Sequence, residues 1–186
     1  MNNNLYKMLV VLVAFVLTAC QSASPTPTKS AAIDLFKEDE EHWITVWPPD
    51  GWTVGRGGTS GAPTVIVTND WEGYSTTDTR AIGIIISPLT DEGSAEKILQ
   101  IVIKRLGAVL TEPAVKVALK QNAGQSYASV EYRGKSAEKD YAPAYYFLTI
   151  VSSDKRSVLV FSAVDPDQVD ITRPAYQTTV DGVVLH

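Results

Sequence analysis

Apolar and polar positions begin to alternate in a structured way near Ile33, and the pattern continues to the C-terminus. Trp43-Ile-Thr-Val-Trp47 alternates and is β-prone, which predicts a strand. Pro48-Pro-Asp-Gly51 predicts a turn, because proline fixes φ and glycine admits positive φ. Trp52-Thr-Val54 resumes an extended segment. Gly55 to Pro63 is polar and glycine-rich and is expected to be a loop; Thr64 to Thr68 reads as a second strand. Asn69 to Arg80 reads as a longer polar loop that carries Trp71 and Tyr74. Ala81 to Ser87 is apolar at both parities, the mark of a strand covered on both faces.

The period then changes. Ile98, Leu99, Ile101, Val102 and Leu106 form a stripe at helical spacing. Ser94 is placed to cap that helix, Glu96 suits its positive end, Lys104 and Arg105 suit its negative end, and Gly107 can end it. Ala114 to Lys120 and Tyr127 to Arg133 are strands about the turn Asn122-Ala-Gly124. Tyr145 to Val151 and Ser157 to Val164 are strands about the hairpin Ser152 to Arg156, and Asp165-Pro-Asp167 ends the second. Tyr176, Thr179, Val180 and Val183 are spaced as the buried face of a final helix, with Gly182 as its weak point. Hairpin-linked strands imply an antiparallel sheet, and the strand apolar on both sides needs cover on its second face. The expected fold class is therefore α+β, an antiparallel β-sheet flanked by α-helices.

The first thirty-two residues are of a different kind. Lys7 is the one charged residue among the first twenty, and it precedes an uncharged run from Met8 to Ala19. That run is too short for a membrane-spanning helix, which needs about 20 apolar residues, and fits a secretory signal with its basic start and small residues at the cut. It ends in Leu17-Thr-Ala-Cys20, which resembles the lipobox of bacterial lipoprotein precursors. The resemblance implies a signal peptide over 1–19, cleavage between Ala19 and Cys20, and lipidation of the Cys20 thiol. Residues 20–32 then form the lipidated cysteine and a Pro/Ser/Thr linker, and 33–186 the folded domain. With prolines at 25 and 27 and no large apolar side chain, residues 21–32 cannot build a core and have an extended reach of roughly 37 Å.

Composition narrows the chemistry. The chain has 186 residues, of which 45% are apolar, enough for one substantial core. Its formal charge of −5 argues against a nucleic-acid partner, whose phosphates are held largely by basic residues. A single cysteine excludes an intramolecular disulfide and a cysteine-cluster zinc site. The two histidines, His42 and His186, lie at the edges of the domain without a nucleophile elbow. Gly55-Arg-Gly-Gly-Thr-Ser-Gly61 lacks the lysine and the following helix of a phosphate loop, so it reads as a strand connection. Glu38 to Glu41 and Asp165, Asp167 and Asp170 match no EF-hand; they read as a solvated face and a strand exit with a helix start. No catalytic residue, metal ligand or cofactor is expected.

Ile44-Thr-Val-Trp-Pro48-Pro-Asp-Gly-Trp52, followed by a helix, a meander of strands and a terminal amphipathic helix, resembles the PsbP-like domains over about 43–185. The resemblance implies an α/β/α sandwich, a fold shared with the Ran-binding nuclear import factors. It also implies a binding or stabilising role with no shared active site. All four tryptophans lie between 43 and 71. Trp47 and Trp52 are expected in the core, while Trp71 and Tyr74, on a polar segment, are the candidate partner-binding residues. The expected function is that of a non-catalytic accessory domain, anchored to a bacterial membrane through Cys20, facing outside the cytoplasm and binding another envelope protein. The alternatives are an anchored hydrolase with an unrecognised site and a small-ligand carrier.

Overall fold

The computed structural model describes residues 33–38, 41–59, 62–75, 81–107, 109–136 and 142–186. In chain order the elements are β1 (Ile33–Glu38), β2 (Glu41–Val46), β3 (Thr53–Thr59), β4 (Ala62–Thr68), α1 (Trp71–Ser75), β5 (Gly83–Leu89) and α2 (Ala95–Arg105). They continue with β6 (Leu110–Asn122), β7 (Gln125–Lys135), β8 (Pro143–Ser152), β9 (Ser157–Val164), a 3₁₀ turn over Pro166–Gln168, α3 (Val169–Asp181) and β10 (Val183–Leu185). Seven strands form one antiparallel sheet in the order β3-β4-β5-β9-β8-β7-β6. The remaining three form a small antiparallel sheet in the order β1-β2-β10, which zips the start of the domain to its end.

Local chemistry sets the connections. Between β6 and β7, Ala123 and Gly124 both have positive φ, at 47° and 80°. This is the handedness that lets a two-residue turn follow the twist of its strands. Between β8 and β9, the Ser153 hydroxyl oxygen accepts from the N–H groups of Lys155 and Arg156. At the start of α2, Ser94 Oγ accepts from Lys97 N–H at 3.3 Å, as expected of the cap.

The central strand β8 shows how the layers are built. Leu148 and Ile150 enter a core with Ala95, Ile98, Leu99 and Val102 of α2. Their neighbours Phe147 and Val151 point the other way, into a core with Tyr176 and Val180 of α3. That second core also takes Ile44, Val46, Val183 and Leu185 from the small sheet. The domain is thus mostly antiparallel sheet with a few helices. Its second face is shared between a helix and a sheet, where flanking helices alone were expected. The small sheet is tied to the large one by Gln125, whose Nε2 donates to Val183 carbonyl oxygen at 3.1 Å while its Oε1 accepts from Leu185 N–H. One side-chain amide therefore makes the bonds that a further strand would make to β10.

Four expectations need correction. Gly55 to Pro63 is not a loop: β3 runs through Thr59 and pairs with β4 from Thr53↔Thr68 to Thr59↔Ala62. Residues 71–75, within the expected 69–80 loop, form a single helical turn. Val183 is not on the last helix, because α3 stops at Asp181, Gly182 caps it and Val183 begins β10. Trp47 is not a core residue; it is 49% exposed, whereas Trp52 packs against the core as expected.

Candidate functional site

The two aromatic residues singled out from the sequence come together on α1. The turn that presents them is fixed at both ends. Asp70 Oδ1 accepts from Gly73 N–H at 3.0 Å, and Asp70 N–H donates to Thr68 Oγ1 at 3.2 Å. Asn69 Oδ1 accepts from Ile82 N–H at 2.8 Å, which holds the entrance of α1 against the entrance of β5. Side-chain acceptors of this kind favour turns over continued strand, so β4 ends here and α1 begins.

The rings lie back across the sheet. A methyl group added to Gly55 would overlap the six-membered ring of Trp71, and one added to Gly83 would overlap the ring of Tyr74. Two strand glycines therefore serve as seats, which is why a glycine-rich stretch is used inside a sheet that it would otherwise weaken. Both rings remain half-buried. The register Gly55↔Ile66↔Ile85↔Phe161↔Leu148 carries the line of the Trp71 seat across the face towards α2. Ile66 and Leu148 on that line are buried, while Ile85 and Phe161, between α1 and α2, are half-buried. The result is an apolar strip with an aromatic rim. One row along, Thr64 is 7% exposed and its hydroxyl has no hydrogen-bond partner among the described residues.

The charged clusters have a different character. Arg173 of α3 donates through Nε and NH2 to the two oxygens of Glu131 on β7, at 3.2 and 3.0 Å. Tyr145 on β8 donates to the same carboxylate at 2.6 Å. Burial, then the bond to Glu131, pushes the Tyr145 hydroxyl above its ordinary range. Glu131 in turn holds the proton on Arg173 still more firmly. Lys120 donates to Asp181 at 2.8 Å, which also raises the lysine. These contacts fasten α3 to the sheet. A depression of about 310 Å³ lies over the β6–β7 turn, lined by Gln121 to Ser126 of that one hairpin, so no second element converges on it.

Among the described residues there is no group of three His, Cys, Asp or Glu side chains placed to hold a metal ion. His186 Nε2 lies 2.9 Å from Thr45 Oγ1, a hydroxyl–imidazole hydrogen bond that joins the C-terminus to β2. Ala19 and Cys20 lie outside the described residues, as do the side chains of Glu38 to His42. No helix among the described residues is long and apolar enough to cross a membrane. Reading the sequence alone missed Ile85 and Phe161 as lining residues, and Gly55 and Gly83 as seats. The usable signal was the spacing of Gly55 and Gly57, two apart, which places both on one face of a strand.

No protein-family model matches the chain, and no curated protein matches it in sequence. Its fold is similar to the solution structure of cyanobacterial PsbP (CyanoP) from Synechocystis sp. PCC 6803. The match has 17% identity and a TM-score of 0.53, and covers 89% of this chain and 98% of that one. The likeness is one of fold, and it supports a PsbP-like fold for this chain. A crystal structure from Bacteroides thetaiotaomicron VPI-5482 is similar at 11% identity and a TM-score of 0.48, covering 78% of this chain. The chain spans less than half of that protein, 46% of its length.

Proposed function

We propose that this protein is a lipoprotein of the bacterial cell envelope. Its PsbP-like α/β/α domain acts as a non-catalytic accessory module, binding another envelope protein through the strip rimmed by Trp71 and Tyr74. The observation that carries the reading is the half-buried aromatic pair seated on Gly55 and Gly83 beside half-buried Ile85 and Phe161. Half-buried aromatics held against strand glycines are well suited to anchor a partner, because little side-chain freedom is left to lose. Anchoring rests on Leu17 to Cys20 after an uncharged run. Lipidation at Cys20 with more than one acyl chain holds a protein stably on a bilayer, where one chain alone is marginal.

Two measurements test this. Cys20→Ala stops incorporation of labelled fatty acid and leaves precursor or releases protein; undiminished labelling refutes the anchor. A photo-crosslinking residue at position 74, in native membranes, captures a defined envelope protein, and Trp71→Ala reduces that capture while the domain stays folded. If Trp71→Ala or Tyr74→Ala instead costs about 3 kcal/mol or more, as truncation of a buried aromatic does, the rings belong to the core and the partner surface lies elsewhere.

A further inference from the structure

Trp47 is the most exposed of the tryptophans whose side chains are described. It follows β2 directly, and its N–H donates to Gly182 carbonyl oxygen at 3.0 Å, which extends the β2–β10 ladder by one rung. Ile44 and Val46 of β2, with Val183 and Leu185 of β10, turn inward and are at most 8% exposed. Parity then sends Trp47 to the other side, that of Val184 and of its cross-strand partner Thr45, which is itself buried at 9% exposure and hydrogen-bonded to His186. Trp47 is 49% exposed and Val184 38%. The tryptophan backbone cannot retreat, because a methyl group at Gly182 would already overlap its carbonyl oxygen and crowd its Cβ.

The same register places the entry of the chain. β1 begins at Ile33 opposite Val46, so the polypeptide coming from Cys20 joins the fold one residue away from Trp47. Residues 21–32 have a contour of at most about 43 Å. That contour is about the width of a domain whose radius of gyration is about 15 Å. A lipid on Cys20 therefore keeps the bilayer within a domain's width of this edge. The α1 strip lies on the opposite face of the large sheet, since α2 and α3 enter separate cores from its two sides.

We infer that Trp47, with Val184 beside it, is a second membrane contact that seats in the headgroup layer of the bilayer to which Cys20 is attached. This rests on the lipidation reading above. The chemistry fits that layer: an indole has an apolar body and one N–H donor, and tryptophan concentrates at bilayer interfaces for that reason. Asp50 is exposed nearby in the chain and Asp181 is paired with Lys120, so the surface chosen is a zwitterionic one. The domain is thereby oriented, with Trp47 towards lipid and Trp71 and Tyr74 away from it.

The test uses the full lipidated chain in phosphatidylcholine vesicles that contain a brominated phosphatidylcholine, which quenches tryptophan emission on contact. Flotation with the vesicles reports the anchor, and quenching reports the contact. The expected result is flotation of the wild type with quenching, and flotation of Trp47→Phe without it. Val184→Glu, which keeps the indole and alters an exposed site, should float and be quenched less. Flotation without quenching, or quenching that persists in Trp47→Phe, overturns this inference and leaves the anchor standing. Wild-type protein that fails to float overturns both.

Discussion

The two faces of the seven-stranded sheet are finished in different ways. On the α3 side the core is built from large side chains packed on one another: Phe147 lies 5.1 Å from Tyr176 and 5.2 Å from Tyr145, centroid to centroid. The Tyr176 hydroxyl donates to Val160 carbonyl oxygen at 2.8 Å, and Arg173 reaches across to Glu131. The opposite face is covered by α2 over β7 and β8. Beyond α2, cover comes from two rings resting where strand side chains are missing. A face closed by mutual packing has no spare valence for a partner. A face finished by inserted rings leaves those rings half-buried.

Truncations at the centre of the first face should have the largest effect. Phe147→Ala removes a ring that is 1% exposed and is expected to cost about 3–5 kcal/mol in denaturant unfolding. A loss below about 1 kcal/mol would mean the two faces are equally loose. The seat comes next. Gly55→Val displaces the Trp71 ring and should cost about 1–3 kcal/mol, with Trp71 emission shifting to the red. The same change made in Trp71→Ala should cost less, a coupling that a double-mutant cycle measures.

Smaller again is Tyr176→Phe, which removes one buried hydrogen bond at about 1 kcal/mol. Its pH dependence sharpens the contrast. Burial pushes the Tyr176 hydroxyl well above its ordinary value near 10, and Tyr145 is raised as well. The unfolded chain therefore loses these protons first, so stability present below pH 10 drains away above it. The urea midpoint should fall steeply above pH 10 in the wild type and less steeply in Tyr176→Phe. The smallest effect is expected at Asp91, whose two oxygens take both NH groups of the half-exposed Arg105 at 2.7 Å on the α2 side. Asp91→Asn should cost about 0.5 kcal/mol, and added salt should erase the difference.

What could be read from the sequence follows the same division. The α2 helix was legible to its cap because Ser94, the stripe from Ile98 and the basic last turn agree with one another. The β7–β9 meander was legible because alternation and turn residues coincide. β3 was not, because glycines at 55, 57 and 58 have no strand preference of their own; pairing with β4 holds them extended, and the Trp71 ring rests on Gly55. Trp47 looked like a core residue because parity says which residues share a face and not which face is inside. β10 was hidden because Val183 continues the helical spacing of α3, and only the pairing with β2 shows that the helix has ended at Gly182. Of the candidate site, Trp71 and Tyr74 were visible as large aromatics in polar surroundings, while Ile85 and Phe161 looked like ordinary strand interior.

The pairing of β2 with β10 also sets an order of assembly. Thr45 and His186, hydrogen-bonded across this junction, are 141 positions apart, whereas β8 and β9 are joined by a short hairpin and register almost at once. Long-range pairings of this kind come late, because the intervening chain must already be ordered before they reward the closure. A chain released N-terminus first, from a ribosome or a translocation channel, brings β2 out early and keeps it waiting until the last residues emerge. The edge of the domain that carries β2 is therefore completed last.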